Sequence, residues 1–215
     1  MVGTRKAINF LRDLRDMLAG HTKTKVAATV KWDGAPAIFA GVDPADGKFF
    51  VAKKGIFNKN PEVYKTDKDI DAHLSGDLNT KFKVALKEFS KLGIKSGVYQ
   101  GDMMFTKGDV KTETIGEEDF ITFHPNTIVY AVPANSALAK KITTASVGVV
   151  WHTTYEGDSL ETMKASFGKS IIANLKHIPS VWMDDANYKD YSGTATFTDA
   201  ETKQLTAILS KDRKS

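Results

Sequence analysis

Cysteine is absent from the 215 residues, which excludes disulfides, thiolate nucleophiles and cysteine-ligated zinc. Its absence fits a reducing compartment such as the cytoplasm. Proline is scarce, at six residues, and no Pro-rich or Gly/Ser-rich tract marks a linker. No apolar run approaches the ~20 residues of a membrane span, so no membrane role is expected. The N-terminal MVGTRKAINFLRDLRDMLAG alternates charged with apolar residues and lacks the uninterrupted apolar stretch of a secretory signal. Neither G-x-x-x-x-G-K-[ST], G-x-G-x-x-G nor G-x-S-x-G occurs, which removes P-loop, Rossmann and serine-hydrolase chemistry. The five histidines show no metal-ligand spacing, and His124 and His152, in or beside expected strands, read as structural residues. Charge of one sign is not in large excess. Thirty basic against 26 acidic residues leave +4, with a pI near 9.0, which permits a polyanionic partner without demanding one.

What is present is a 41% apolar composition, enough for a substantial core. Ile8, Leu11, Leu14 and Leu18 share one face of an expected helix over Arg5 to Ala19, which Gly20 can stop. That face is expected to pack on the core. Val26 to Trp32, Ala37 to Gly41 and Lys48 to Lys53 read as strands, the last two joined by the turn VDPADG. Thr66 or Asp67 can cap a short helix towards Leu74. Asp77 can cap a longer one from Leu78 to Leu92 that aligns Phe82, Ala85, Leu86 and Phe89 and ends at Gly93. Gly97 to Phe105 reads as a strand and Thr106 to Asp119 as a polar loop. Ile121 to Phe123 and Thr127 to Val132 are short strands, Ser136 to Ile142 a helix, and Ser146 to Tyr155 a long strand. Asp158 with Glu161 resembles a capping box, opening a helix that carries Met163, Phe167, Ile171 and Leu175 and closes before Pro179. Asp184-Asp185 reads as a solvated turn, and Thr198 with Glu201 opens a last helix through Leu209. The pattern is α+β, a strand-rich core (26–155) flanked by helices, in a single domain over residues 1–215.

The most informative segment is Val30-Lys31-Trp32-Asp33-Gly34-Ala35-Pro36. A lysine closes an expected strand just before an Asp-Gly turn, which presents one amine on rigid backbone where Gly34 lets a ligand approach closely. Lysine is a poor nucleophile at its ordinary pKa of about 10.4, and burial or neighbouring cations, here Lys53 and Lys54, can free the amine.

K-x-D-G at Lys31 to Gly34 resembles motif I of the covalent nucleotidyltransferases: ATP-dependent DNA ligases, RNA ligases and mRNA capping enzymes. Ala52-Lys53-Lys54-Gly55 resembles motif Ia (S-R-x-G), Gln100-Gly101-Asp102-Met103-Met104 motif III (D-G-E with two apolar residues), and Ile128-Val129-Tyr130-Ala131 motif IIIa. The wider KWDGAPAIFAG and KFFVAKKG context is similar to uncharacterised ligase-like proteins of tailed phages. The resemblance covers Val26 to Tyr130. It implies a ligase-type core of mainly antiparallel sheets flanked by helices and an ATP- and Mg²⁺-dependent activity in the host cytoplasm. Lys31 would be the adenylated nucleophile and Asp33 and Gly34 would shape the nucleotide pocket. Lys53 would contact phosphate, Asp102 the ribose or the metal, and Tyr130 would stack on the base. The implied partner is a nucleic acid, RNA or DNA, with a 5′-phosphate end.

The chain departs from the family at motif IV, where Val147-Gly148-Val149-Val150 has the strand without its glutamate and Glu156-Gly157 the glutamate without the strand. At motif V, Lys211-Asp212-Arg213 is the nearest spelling, and no sequence remains for an OB domain. Three readings stay open: a short active member, a degenerate fold kept as a nucleotide- or nucleic-acid-binding or virion-associated module, or a longer protein's first part.

Overall fold

The computed structural model describes residues 2–20, 36–167, 170–186 and 197–211. The expected strand Val26 to Trp32 lies outside them. Along the chain come α1 (Val2–Leu18), β1 (Ala37–Val42), β2 (Phe49–Ala52), α2 (Asp67–His73), α3 (Gly76–Phe89), β3 (Val98–Thr106) and β4 (Lys111–Ile115). They are followed by β5 (Glu118–Phe123), β6 (Tyr130–Pro133), α4 (Ala137–Thr144), β7 (Val147–Glu156), β8 (Lys164–Ser166), β9 (Val181–Asp185) and α5 (Asp199–Lys211). The chain divides into two compact units, one holding residues 1–28 and 188–215 and the other residues 29–187.

In the first unit α1 and α5 lie together. Arg15 Nη1 donates to Thr206 Oγ1 at 3.2 Å, and the Phe197 N–H to the Leu18 carbonyl at 2.9 Å. Thr198 caps α5 as its sequence suggests, exchanging bonds with Glu201 through side chain and backbone.

The larger unit is α+β, with antiparallel sheets flanked by helices. A six-stranded sheet runs β2-β1-β3-β7-β8, and β9 also pairs with β7. All these pairs are antiparallel except β7–β9, which is parallel. The outer edge of β7 is therefore shared: β9 takes Val147 to Trp151 and β8 takes Thr154 to Glu156. A second, three-stranded sheet runs β4-β5-β6.

Strand alternation sends successive side chains to opposite faces, and each face of the large sheet has its own core. On one face Ile38, Ala40, Val51, Met103, Val149 and Trp151 pack against Phe82, Ala85 and Phe89, the stripe that the periodicity of α3 predicts. Two separate clusters cover the other face. Phe39, Phe50, Ala52, Ile56, Val98 and Leu160 form one. Met104, Phe105 and Val150 form the other with Ile121 and Phe123 of the small sheet and Ile142 of α4. Thr66, one of the two expected candidates, caps α2, and Ser136, expected as the first residue of the next helix, caps α4. Ser75, not Asp77, precedes α3.

Three expectations are corrected. The helix over Asp158 to Leu175 does not form: the segment is two 3-10 turns (Leu160–Thr162 and Ile172–Asn174) around β8. Its apolar residues serve opposite faces of the sheet, Leu160 and Met163 one cluster and Ile171 and Leu175 the other. No single helical stripe could reach both. The polar loop over Thr106 to Asp119 contains β4, whose side chains are nearly all exposed, so its alternation carries no hydrophobic signal. Asp184-Asp185 is no solvated turn. Both residues lie in β9, and Asp185, only 7% exposed, accepts the Ile171 and Ile172 N–H groups at 2.8 and 3.2 Å and the Ser170 hydroxyl at 2.5 Å.

Candidate functional site

The site is built around β3. Gly101 and Met103 face the α3 side: a Cβ on Gly101 would strike Trp151 Cε3 at 2.8 Å, and Met103 belongs to that core. Asp102, between them, therefore faces the other way. Opposite it stand Ala37 of β1 and Val150 of β7, and parallel pairing sets Asp184 of β9 opposite Val150. Trp182 and Met183 pack with the clusters of opposite faces, which puts Asp184 on the face of Asp102. Ala37, Asp102, Val150 and Asp184 thus form one row across four strands. At ~4.8 Å per strand the two carboxylate-bearing residues stand about 10 Å apart at Cα.

This row crosses the gap between the two apolar clusters. Along β3, Val98 belongs to one and Met104 to the other, with Gln100 and Asp102 between them. The gap is polar. Gln100 Oε1 accepts the Tyr155 hydroxyl at 2.6 Å. A bulge opposite Gln100 and Gly101 leaves His152 as the extra residue of β7, its Nδ1 at 2.7 Å from Thr153 Oγ1. Burial lowers the pKa of His152 below its ordinary 6.5, so the ring is uncharged at neutral pH.

Lys31, Asp33 and Gly34 lie outside the described residues. The chain that follows them does not: the Pro36 carbonyl accepts the Met103 N–H at 3.0 Å, and Ala37 is the partner of Asp102. Residues 31–34 therefore lead directly into a strand that starts beside Asp102.

Lys53 follows the end of β2, close in the sheet to the start of β1, but its ammonium turns to the α3 side. It lies 3.8 Å from Glu62, which also accepts the hydroxyl of the core residue Tyr64. The Tyr64 hydroxyl bond and the Lys53 charge hold the Glu62 carboxyl below its ordinary range, whereas burial and Glu62 push the Tyr64 phenol up. Lys53 and Asp102 thus share an end of the sheet without sharing a face. Tyr130 opens β6 and stacks on Phe123, ring centroids 5.4 Å apart and planes at 11°, within the cluster that includes Met104.

Asp184, in the row of Asp102, and His152, at the bulge opposite Gln100 and Gly101, are what sequence reasoning missed. A parallel partner and a bulge place them there, and neither has a local spelling. The Val147-Gly148-Val149-Val150 segment is a strand, as read, and it carries no carboxylate; the acid of this region stands one strand further out. Among the described residues no group of three His, Asp or Glu side chains is placed to hold a metal ion. The row sets Asp102 and Asp184 two strands apart, with Val150 between them. A magnesium ion that kept its waters and bound substrate phosphates would need only one of them.

An α+β protein with two mainly antiparallel sheets and a polar gap on one sheet face is the class that fold and site define. The chain belongs to a family of unknown function (DUF6267), whose model matches residues 1–215. No curated protein and no solved structure matches it. No helix among the described residues is long and apolar enough to cross a membrane.

Proposed function

We propose that the protein is an ATP-dependent nucleotidyltransferase of polynucleotide-ligase type, acting in the cytoplasm, with Lys31 as the nucleophile. The observation that carries this reading is the register of β1 on β3. It joins two motifs far apart in sequence, bringing the chain just after Lys31-Trp32-Asp33-Gly34 against Asp102, in a polar gap between apolar walls.

The unprotonated Lys31 amine would attack the α-phosphorus of ATP, forming a P–N bond as the bond from that phosphorus to the β-phosphate oxygen breaks. Pyrophosphate leaves with the bridging oxygen, and the proton on nitrogen passes to solvent. Asp33 and Gly34 would shape the pocket, Asp102 would accept from the ribose or hold Mg²⁺, and Tyr130 would lie over the base. Mg²⁺, when bound, offsets charge on the triphosphate and orients it for in-line departure. Transfer of AMP to a nucleic-acid 5′-phosphate would follow. Asp184, in the row of Asp102, supplies an acidic group near the strand where the family carries its motif IV glutamate. Lys53, turned towards Glu62, would have to leave that contact to reach a phosphate.

A second reading, a non-catalytic nucleotide- or nucleic-acid-binding module, is favoured by one observation: the Val147 to Val150 strand has no glutamate. Self-adenylation separates the two. The protein is incubated with α-labelled ATP and Mg²⁺, denatured, and assayed for label that stays with the chain. Acid-labile label that vanishes in Lys31→Ala and falls at least about tenfold in Asp102→Asn is expected. A folded protein that takes no label across pH and metal concentration would sink the enzyme.

A further inference from the structure

The two edges of the large sheet are finished differently. At β2, Val51 exchanges both backbone hydrogen bonds with Tyr64, at 3.0 and 2.9 Å, and Phe50, Val51 and Ala52 are buried. At β9 no strand among the described residues pairs with the outer side. Ala186 donates its N–H inward to the Trp151 carbonyl at 2.7 Å. By alternation the backbone groups of Trp182 and Asp184 also point to β7, and those of Val181, Met183 and Asp185 point away. The outward N–H groups of Val181 and Asp185 are taken by the Ile178 carbonyl and Asp184 Oδ1, at 3.1 and 2.8 Å. The outward N–H and C=O of Met183 stand midway between them.

This edge opens into a cavity of about 840 Å³. Four consecutive residues of β9, Val181 to Asp184, line it although they belong alternately to the two faces of the sheet. The cavity therefore runs along the strand's edge and not over one face. Its walls come from α4 on one side and the segment before β9 on the other, and they carry three basic side chains, Lys140, Lys141 and His177, against one acid, Asp184. The edge's register with β7 is unbroken by a bulge and β9 contains neither Lys nor Pro; the charges it carries, Asp184 and Asp185, are confined to its C-terminal end.

We infer that β9 is a docking edge for an extended acidic peptide segment of a partner protein, which adds a strand beside it. The Met183 backbone groups would pair with the incoming chain. Alternate side chains of the peptide would enter the apolar hollows above and below the edge, and its carboxylates would meet Lys140 and Lys141. The inference does not depend on nucleotide chemistry.

The full chain is titrated with a pool of capped peptides of about seven residues that alternate Glu or Asp with Val, Ile, Leu or Phe. Binding is expected to slow hydrogen exchange at the Met183 amide. Methylating alternate backbone nitrogens of a bound peptide should weaken it at least about tenfold, as should the double variant Lys140→Glu with Lys141→Glu, whose fold is checked by circular dichroism. The inference is overturned if no member of the pool binds, if N-methylated and parent peptides bind equally, or if the edge is already protected in a homodimer seen by sedimentation.

Discussion

Asp185 is the residue whose removal tests the architecture most sharply. Its carboxylate, 7% exposed, ties the chain before β9 to the strand's end through the Ile171 and Ile172 N–H groups and the Ser170 hydroxyl. Ile171 is 3% exposed and its side chain lies in the α3-side core. In Asp185→Ala three donors lose a charged acceptor, and the Ile171 N–H has no route to water. One bond to a charged group contributes about 1.5–3 kcal/mol, and three that share a carboxylate are not additive, so a loss of about 3–5 kcal/mol is expected. Asp185→Asn keeps an oxygen for the two amides and should lose only about 1–2 kcal/mol. Denaturant unfolding followed by tryptophan fluorescence gives the global figure, with the buried Trp151 reporting on the sheet. Hydrogen exchange at Ile171 and Ile172 gives the local one, and both amides should exchange faster. An Asp185→Ala protein within about 0.5 kcal/mol of wild type, with unchanged exchange, would refute the tether and restore the reading of Asp184-Asp185 as a solvated turn.

A Cβ at Gly101 would stand 2.5 Å from the Val150 carbonyl oxygen, a backbone atom that cannot swing aside. Gly101→Ala should therefore lose about 2–3 kcal/mol in the same unfolding assay and impair Asp102 beside it. Glu88 is buried. Burial alone would raise its pKa, but the Lys91 ammonium and Ser180 hydroxyl outweigh it, and the net value lies below the ordinary 4.5. A depressed carboxylate contributes stability above its unfolded pKa and loses it as pH falls through the folded one. Glu88→Gln should thus be less stable than wild type at about pH 7, with the gap closing by about pH 3 in acid titrations of stability. His152 is uncharged at neutral pH because burial lowers its pKa, and charging it on folding is unfavourable. His152→Gln should accordingly lessen the decline in stability as pH falls below 6.5.

Much of the framework was legible from local pattern. The stripe Phe82, Ala85 and Phe89 implied a helix with one buried face, and α3 buries that stripe. Thr66 and Thr198 signalled helix starts because a short hydroxyl side chain satisfies an orphan N–H wherever the chain turns helical. The apolar strands β1, β2, β3 and β7 were visible for the same reason: burial imposes a period that the chain itself displays. Asp102 was legible as a candidate through the order of motifs around it, and its strand context is as expected.

Where the partner decides the structure, the chain displayed little. Lys164 to Ser166 is extended because β7 has backbone groups to pair with it, and the helical spacing of Met163, Phe167, Ile171 and Leu175 is an accident: Met163 serves one face, Ile171 and Leu175 the other, and Phe167 is exposed. Nothing in the residues around Asp184 announces that a parallel strand will carry it into the row of Asp102, nor that Asp185 will be buried as a tether. The turn of Lys53 towards Glu62 and away from Asp102 likewise depends on which face its neighbour Tyr64 fills. By itself the sequence determined the α+β class, the apolar strands, the caps at Thr66 and Thr198 and the order of the candidate motifs, since these follow from near-neighbour sterics and hydrophobic period. The shared outer edge of β7, the row of Asp102 and Asp184 and the open side of β9 were decided only in the tertiary structure, because strand register is a contact between distant residues that no local window contains.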